Sequence, residues 1–526
     1  MSSPEDIQTR LSHPLNRRQV LAGGLAAGLA GGFGGRADAQ PGGAQAAIQA
    51  ALGDGQRFDP GQVLELARAL ARRPYAAPPN DLPDPFNGLS YDAYLGIRAG
   101  PGATLWEGEG RGFTAVALHR GWVFGGAVGL FSVEDGTVRR LAYDRSLFEF
   151  GRLTVPATLP DIGFSGIKLT ATGGGSPFDF AILQGATFFR AVARGQNFGV
   201  IARALTLRPA EARGEEVPAF RAFWLERPAP GSGALVLHGL LDSESVAGAV
   251  RMTFRPGEIT VVDVELTLCP RVALDHVGLA GMNSTYLFGP NDRRGVDDVR
   301  PAVHEAAGLA MLSGAGERIW RALQNPETLQ ISAFVDRDPR GFGLVQRDRS
   351  PAGFQDNDQL YERRPTLWVE PLGDWGEGSV QLIEIPLEGE VNKNIVAYWR
   401  PKAPLAAGSE AAFSYRQLWC WQVPEPPPLA QVVQTRVGRG SAGRRRRFLV
   451  DFAGDALAGE VPEFRIALSA GPGSVQAVRH WAYPDRRTLR VSFELDPGGE
   501  PASEMRLVLE SAGRPISETW LYRWTP

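Results

Sequence analysis

The stretch Thr260 to Leu268, "TVVDVELTL", constrains the fold more than any other part of the chain. Val262, Val264, Leu266 and Leu268 alternate with Asp263, Glu265 and Thr267. A period of two places the apolar set on one face of an extended segment and the polar set on the other. That is the pattern of an antiparallel strand with one face on a core and one toward solvent. Similar segments lie at 234–238, 381–385 and 394–399, separated by Gly, Pro and Asp. Many short strands with turn signals between them, and few long helical patterns, predict a mainly β protein built as a large sandwich. The exception comes early. "FDPGQVLELARALARRP" has apolar residues at helical spacing behind Asp59-Pro60, which predicts a helix that starts there and ends at the prolines.

At 526 residues the chain exceeds one ordinary core, so two domains are expected. "QVPEPPPLAQ", residues 422–431, cannot sit inside a sheet and reads as a linker. The expected organisation is therefore a large β-sandwich over 40–421 with its N-terminal helix, the proline-rich linker 422–431, and a small Ig-like sandwich over 432–526. The Cys…Trp…Cys pattern of antibody domains is absent from the last segment.

The N-terminus, "NRRQVLAGGLAAGLAGGFGGRADAQ", carries Arg17 and Arg18, a mild Gly/Ala-rich apolar stretch, and Ala37-Asp38-Ala39. This succession predicts a signal peptide over 1–39. The paired arginines point to the twin-arginine export route and a periplasmic destination. The apolar stretch is too short and weak for a membrane span. A formal net charge of −3 gives no electrostatic reason for a nucleic-acid partner. Arg444 to Arg447 read as a solvated edge or loop beside an alternating strand. Cys269 and Cys420 are the two cysteines, and pairing and two free thiols both remain open. With six scattered histidines and no CxxC or HExxH, neither a metal nor another cofactor is expected.

Three stretches between Phe288 and Pro401 are dense in charged, aromatic and glycine residues. Carboxylates and amides bind sugar hydroxyls, and aromatic rings pack on sugar C–H faces, so this mixture suits a carbohydrate cleft. Within it stands "NKNIVAYW", where Lys393 is one of three lysines in the chain; every other basic residue is arginine.

The blocks "GATFFRAVARGQNFGVIARAL", "STYLFGPN", "RPAVHEAAGL", "RGFGLVQRDR", "YERRPTLWVEPLGDWGEGSVQLIEIP" and "NKNIVAYW" resemble the periplasmic glucan biosynthesis proteins G and D (OpgG/OpgD, MdoG/MdoD). The resemblance implies a galactose-mutarotase-like large sandwich, an Ig-like second domain, and a role in making osmoregulated periplasmic glucans with a β-1,2-linked backbone. The twin arginines favour the D-type member. β-1,2-Linked glucan and the inner-membrane glucan synthase machinery are the implied partners.

Some D-type members resemble inverting β-1,2-glucan hydrolases, with an aspartate general acid in an N-D-N-I-V-A-aromatic-W block and an aspartate general base, acting on water through a relay, in an R-P-x-x-H-D block. By that resemblance the base position is Glu305, beside His304, and the acid position is Lys393. An ammonium with a reference pKa of about 10.4 is a poor donor near neutrality. Glu388 and Glu390, just before it, are the alternatives for a relocated acid. Asp356, Asp358 and Glu362 match an acidic stretch of the family and are expected to bind hydroxyls or to form an arginine-paired loop. Tyr361, Trp368, Trp375 and Trp399 are expected to stack on sugar or to fill the core. The favoured expectation is a protein that binds glucan and controls its backbone. An active inverting glucanase or transglycosylase using Glu305 is the alternative, and a sugar epimerase rests on fold analogy alone.

Overall fold

The computed structural model describes residues 43–78, 81–100, 102–424, 429–458 and 463–526. The expected signal peptide lies outside the described residues, as do 425–428 of the proline-rich stretch. The chain divides into two compact units, one of Met1–Gly281 with Tyr398–Trp419, the other of Met282–Ala397 with Cys420–Pro526. As the alternation predicts, the protein is mostly strand.

In the first unit one sheet runs, in spatial order, Thr104–Leu105, Phe113–Leu118, Gly166–Ala171, Phe178–Gln184, Phe188–Ala191 and Ile201–Arg203. A second sheet contains Gly129–Glu134, Ala219–Glu226, Leu235–Asp242, Val246–Arg255 and Thr260–Pro270. Phe180 against Phe254, with ring centres 5.9 Å apart, joins the two inner faces. Thr260–Pro270 has Val262, Val264, Leu266 and Leu268 at 0–1% exposure, the face its alternation assigned to the core. Two helices, Gly43–Leu52 and Pro60–Ala71, cover the second sheet. Asp59 caps the latter by accepting from the Gly61 N–H at 2.9 Å, and Val63, Leu66, Ala67 and Leu70 face the sheet. Cys269 and Cys420 are both buried and form no disulfide with each other.

The second unit carries the sites discussed below. One of its sheets runs Arg465–Gly471, Ser503–Ser511, Thr519–Trp524, Arg318–Ala322, Gly308–Leu312, Gly341–Val345 and Thr366–Leu372. The Thr519–Trp524 strand lies parallel to Arg318–Ala322, with Trp520 opposite Trp320. A four-stranded sheet of Gln431–Arg439, Arg446–Ala453, Thr488–Asp496 and Ser474–Tyr483 packs on it. Phe448, Phe493, Trp520 and Tyr522 fill the space between them. Phe448 and Phe493 stack at 5.1 Å with 6° between their planes. The unit also holds the antiparallel pairings of Gln330–Arg337 with Glu377–Glu384 and of Tyr286–Phe288 with Val303–His304.

Candidate functional site

The small pairing of Tyr286–Phe288 with Val303–His304 sets the site. Past its end, the Glu305 N–H donates to the Thr285 carbonyl at 2.9 Å. On the other side, Asn394 acts as a backbone mimic. Its Oδ1 accepts from the Tyr286 N–H at 2.8 Å, and its Nδ2 donates to the carbonyls of Tyr286 and Ile385 at 2.9 and 3.1 Å. Thr285 Oγ1 donates to the Asn392 carbonyl at 2.9 Å. The residues flanking Lys393 are thus tied to Thr285, whose carbonyl holds the Glu305 N–H, and to Tyr286, which pairs with His304. Lys393 and Glu305 meet, and the Lys393 ammonium donates to Glu305 Oε2. Their side chains are 5% and 9% exposed, so this is a buried ion pair.

That contact bears directly on chemistry. An inverting pair needs a protonated carboxyl and, about 6.5–9.5 Å away, an ionised one, with the reacting water between them. Here the two positions that the family resemblance assigns to acid and base, Lys393 and Glu305, are a cation and a carboxylate in direct contact.

Beside the pair, Arg300 gathers three carboxylates. It grips Asp298 with two nitrogens, at 3.0 and 2.8 Å, and reaches Asp356 at 2.7 Å and Glu390 at 2.8 Å through a third. The Tyr361 hydroxyl donates to the same Glu390 oxygen at 2.8 Å. Asp356 is fixed further by the N–H groups of Asp358 and Gln359, at 3.0 and 2.8 Å. The Arg300 hydrogen bonds hold the Asp298 carboxyl down to about 2. Burial pushes the Asp356 carboxyl up, but the Gln359 N–H and the Arg300 guanidinium outweigh it and bring it below its ordinary value. The Arg300 guanidinium is held well above its ordinary value, first by Asp298. Burial drives the Tyr361 phenol far upward, and the Glu390 charge adds to that, so it stays a donor.

His304 is buried with its ring stacked on Tyr286, 5.3 Å away at 9°, and edge-on to Phe354 at 5.0 Å. Its carbonyl accepts from Gln346 Nε2 at 2.9 Å. Burial takes the imidazole down to about 3, so it is neutral, and its Nδ1 is buried without a hydrogen-bond partner. Phe288, Ala302, Val303, Phe354 and Tyr361 form the small apolar floor.

The structure therefore brings together Glu305, Lys393, His304, Asp356 and Tyr361. Asp358 joins through its backbone, with its side chain exposed. Glu362 is buried, 3.9 Å from Arg363. Of the two readings left open for Trp368 and Trp399, filling the core is the one that fits their burial. Trp368 is 5% exposed because its indole lies across Gly341 in the sheet, and Trp399 is fully buried in the other unit, so neither offers a ring face to a sugar. Trp375 is buried as well. As for a relocated acid, the Glu390 oxygen already accepts from Arg300 and Tyr361, and Glu388 is exposed. Sequence reasoning missed Arg300 as a hub, although it stands in the same "RPAVHE" block, and Asn394 as the clamp beside Lys393. Among the described residues no group of His, Cys, Asp and Glu is arranged to hold a metal.

Residues 58–524 match the family described as periplasmic glucan biosynthesis protein, MdoG. The chain is 43% identical over 516 residues to glucans biosynthesis protein G of Bradyrhizobium diazoefficiens, covering 97% of this chain and 100% of that one. It is 44% identical to the protein of that name from Rhodopseudomonas palustris, with the same coverage. Against the Vibrio cholerae protein it is 44% identical over 478 residues, 89% of this chain and 87% of the relative. These three relatives carry the G name, not the D name that the paired arginines suggest.

Proposed function

The chain belongs to the periplasmic glucan biosynthesis family, and from that premise we propose that it is a periplasmic protein that binds β-1,2-linked glucan and controls its backbone during synthesis without cleaving it. The observation that carries this reading is the buried Lys393–Glu305 ion pair, at the two positions that the family resemblance assigns to acid and base. Ionic and hydroxyl groups remain for recognition. Arg300, Asp356, Glu390 and Tyr361 form a rigid array of donors and acceptors whose geometry is set before any ligand arrives, which lowers the ordering cost of binding. His304, next to Glu305 in the chain, packs between Tyr286 and Phe354 as an uncharged group. Export by the twin-arginine route through residues 1–39, an Ig-like domain over 432–526 and contact with the inner-membrane glucan synthase machinery belong to the same proposal.

The test is a titration of the mature protein with linear β-1,2-glucan, followed by product analysis. Wild type binds and releases no shorter chains, and Arg300→Ala loses most of the affinity. Turnover by wild type that Glu305→Gln abolishes would overturn the binding-only reading. It would support instead an inverting enzyme with a relocated acid.

A further inference from the structure

Among the described residues, every phenylalanine, tyrosine and tryptophan is buried or half-buried except two. Trp481 and Tyr483 are 43% and 37% exposed. They stand two residues apart on one strand, Ser474–Tyr483, which forms one edge of the four-stranded sheet. An i, i+2 pair on a strand points to one face, with about 6.6–6.8 Å between successive positions. The register fixes which face. His480 and Ala482 pair with Val491 and Leu489, which are fully buried, so Trp481 and Tyr483 project from the opposite, outer side.

The surroundings on that outer side are built rather than incidental. Trp481 lies opposite Arg490. The Arg490 guanidinium is fixed by Asp451 through two bonds of 2.7 and 2.9 Å, and Arg436 meets the same carboxylate at 3.1 Å. Arg486 sits over the Tyr483 ring at 6.0 Å. Arg479, on the same strand and two residues before Trp481, is also exposed. Two solvent-facing rings cost hydration free energy in the unbound protein, and a chain that hides its other aromatics has kept these two outside.

We propose that this face is a second carbohydrate surface, on which the rings of Trp481 and Tyr483 pack against C–H faces of glucose units while Arg490, Arg486 and Arg479 donate to their hydroxyls. The occupant is a linear β-linked glucan, the polymer already assigned to the Arg300 site, and the proposal rests on that assignment. Rings that stack on a sugar face, next to guanidiniums held in place, are the groups by which a flat protein surface retains a polysaccharide. A chain long enough to reach both this face and the Arg300 site gains avidity, and one too short to span them does not.

The experiment compares a short and a long linear β-1,2-glucan binding to the full mature chain and to the double variant Trp481→Ala/Tyr483→Ala. The expected result is a loss of roughly tenfold in affinity for the long glucan. Binding of the short glucan, which Arg300→Ala weakens, stays unchanged in the double variant. An unaltered thermal transition shows that the exposed rings are not needed for folding. Equal long-chain affinity in wild type and the double variant overturns the second surface and leaves the Arg300 site standing. Failure of wild type to bind either glucan overturns both, and so is distinct from failure of the surface alone. If the double variant keeps full glucan affinity but loses association with lipid vesicles, the face serves another partner and the proposal falls.

Discussion

Replacing Lys393 by Met would leave Glu305 as a buried carboxylate without its cation. Removing one partner of a buried pair costs about 3–5 kcal/mol, whereas replacing both by groups of similar shape is far milder. Lys393→Met is therefore expected to lower stability by that amount in urea unfolding, and Glu305→Gln/Lys393→Met to recover much of the loss. A double variant no more stable than the single would show that the pair carries little coupling. His304 gives a pH prediction. Its folded pKa, about 3, lies below the ordinary value of 6.5, so the unfolded chain takes up the proton first. Its contribution is fully present above about pH 6.5 and is lost as pH falls toward 3. Asp298, held at about 2 against an ordinary 3.8, adds a loss of the same direction at lower pH. His304→Phe keeps the stack between Tyr286 and Phe354. It should flatten the acid limb between pH 6.5 and 4 when melting temperature is followed against pH.

Strands and their cross-strand packing decide what the aromatic residues can do. A Cβ at Gly341 would lie 2.3 Å from the Trp368 indole, closer than any real contact, so Gly341 and Trp368 form one packing unit. Gly341→Ala should cost about 1–3 kcal/mol, visible as a lowered denaturant midpoint. This unit also shows why the sequence left Trp368 open between stacking and core. A tryptophan in a polar, glycine-rich stretch reads the same in sequence whether its ring covers a neighbouring glycine or a sugar. The alternating strands were legible, because period two survives in any half-buried segment. Phe448–Phe452 and Leu489–Leu495 fall inside the observed strands Arg446–Ala453 and Thr488–Asp496. At the candidate site, family resemblance singled out Glu305 and Lys393, and the structure places them in contact. The hub at Arg300 was not legible, because its partners Asp356 and Glu390 lie 56 and 90 residues away and leave no local pattern.

At the scale of the molecule, the last hundred residues do more than follow the rest. Thr519–Trp524 pairs with Arg318–Ala322, and Arg347 bonds Glu518 through two nitrogens at 2.8 Å while its guanidinium lies 3.6 Å from the Trp320 ring centre. Ending the chain after Gln431 would open the edge of the Arg318–Ala322 strand and uncover Trp320. The shortened protein is expected to aggregate on refolding where the full chain stays soluble, as light scattering would register. The central claim concerns chemistry, however, and one measurement meets it directly: release of new reducing ends from linear β-1,2-glucan by wild type and by Lys393→Asp. The substitution sets two carboxyl groups where an ion pair now stands, and their repulsion raises the pKa of one so that it can donate a proton. The account predicts no release by wild type and measurable release by Lys393→Asp. Release by wild type that disappears in Glu305→Gln would contradict it.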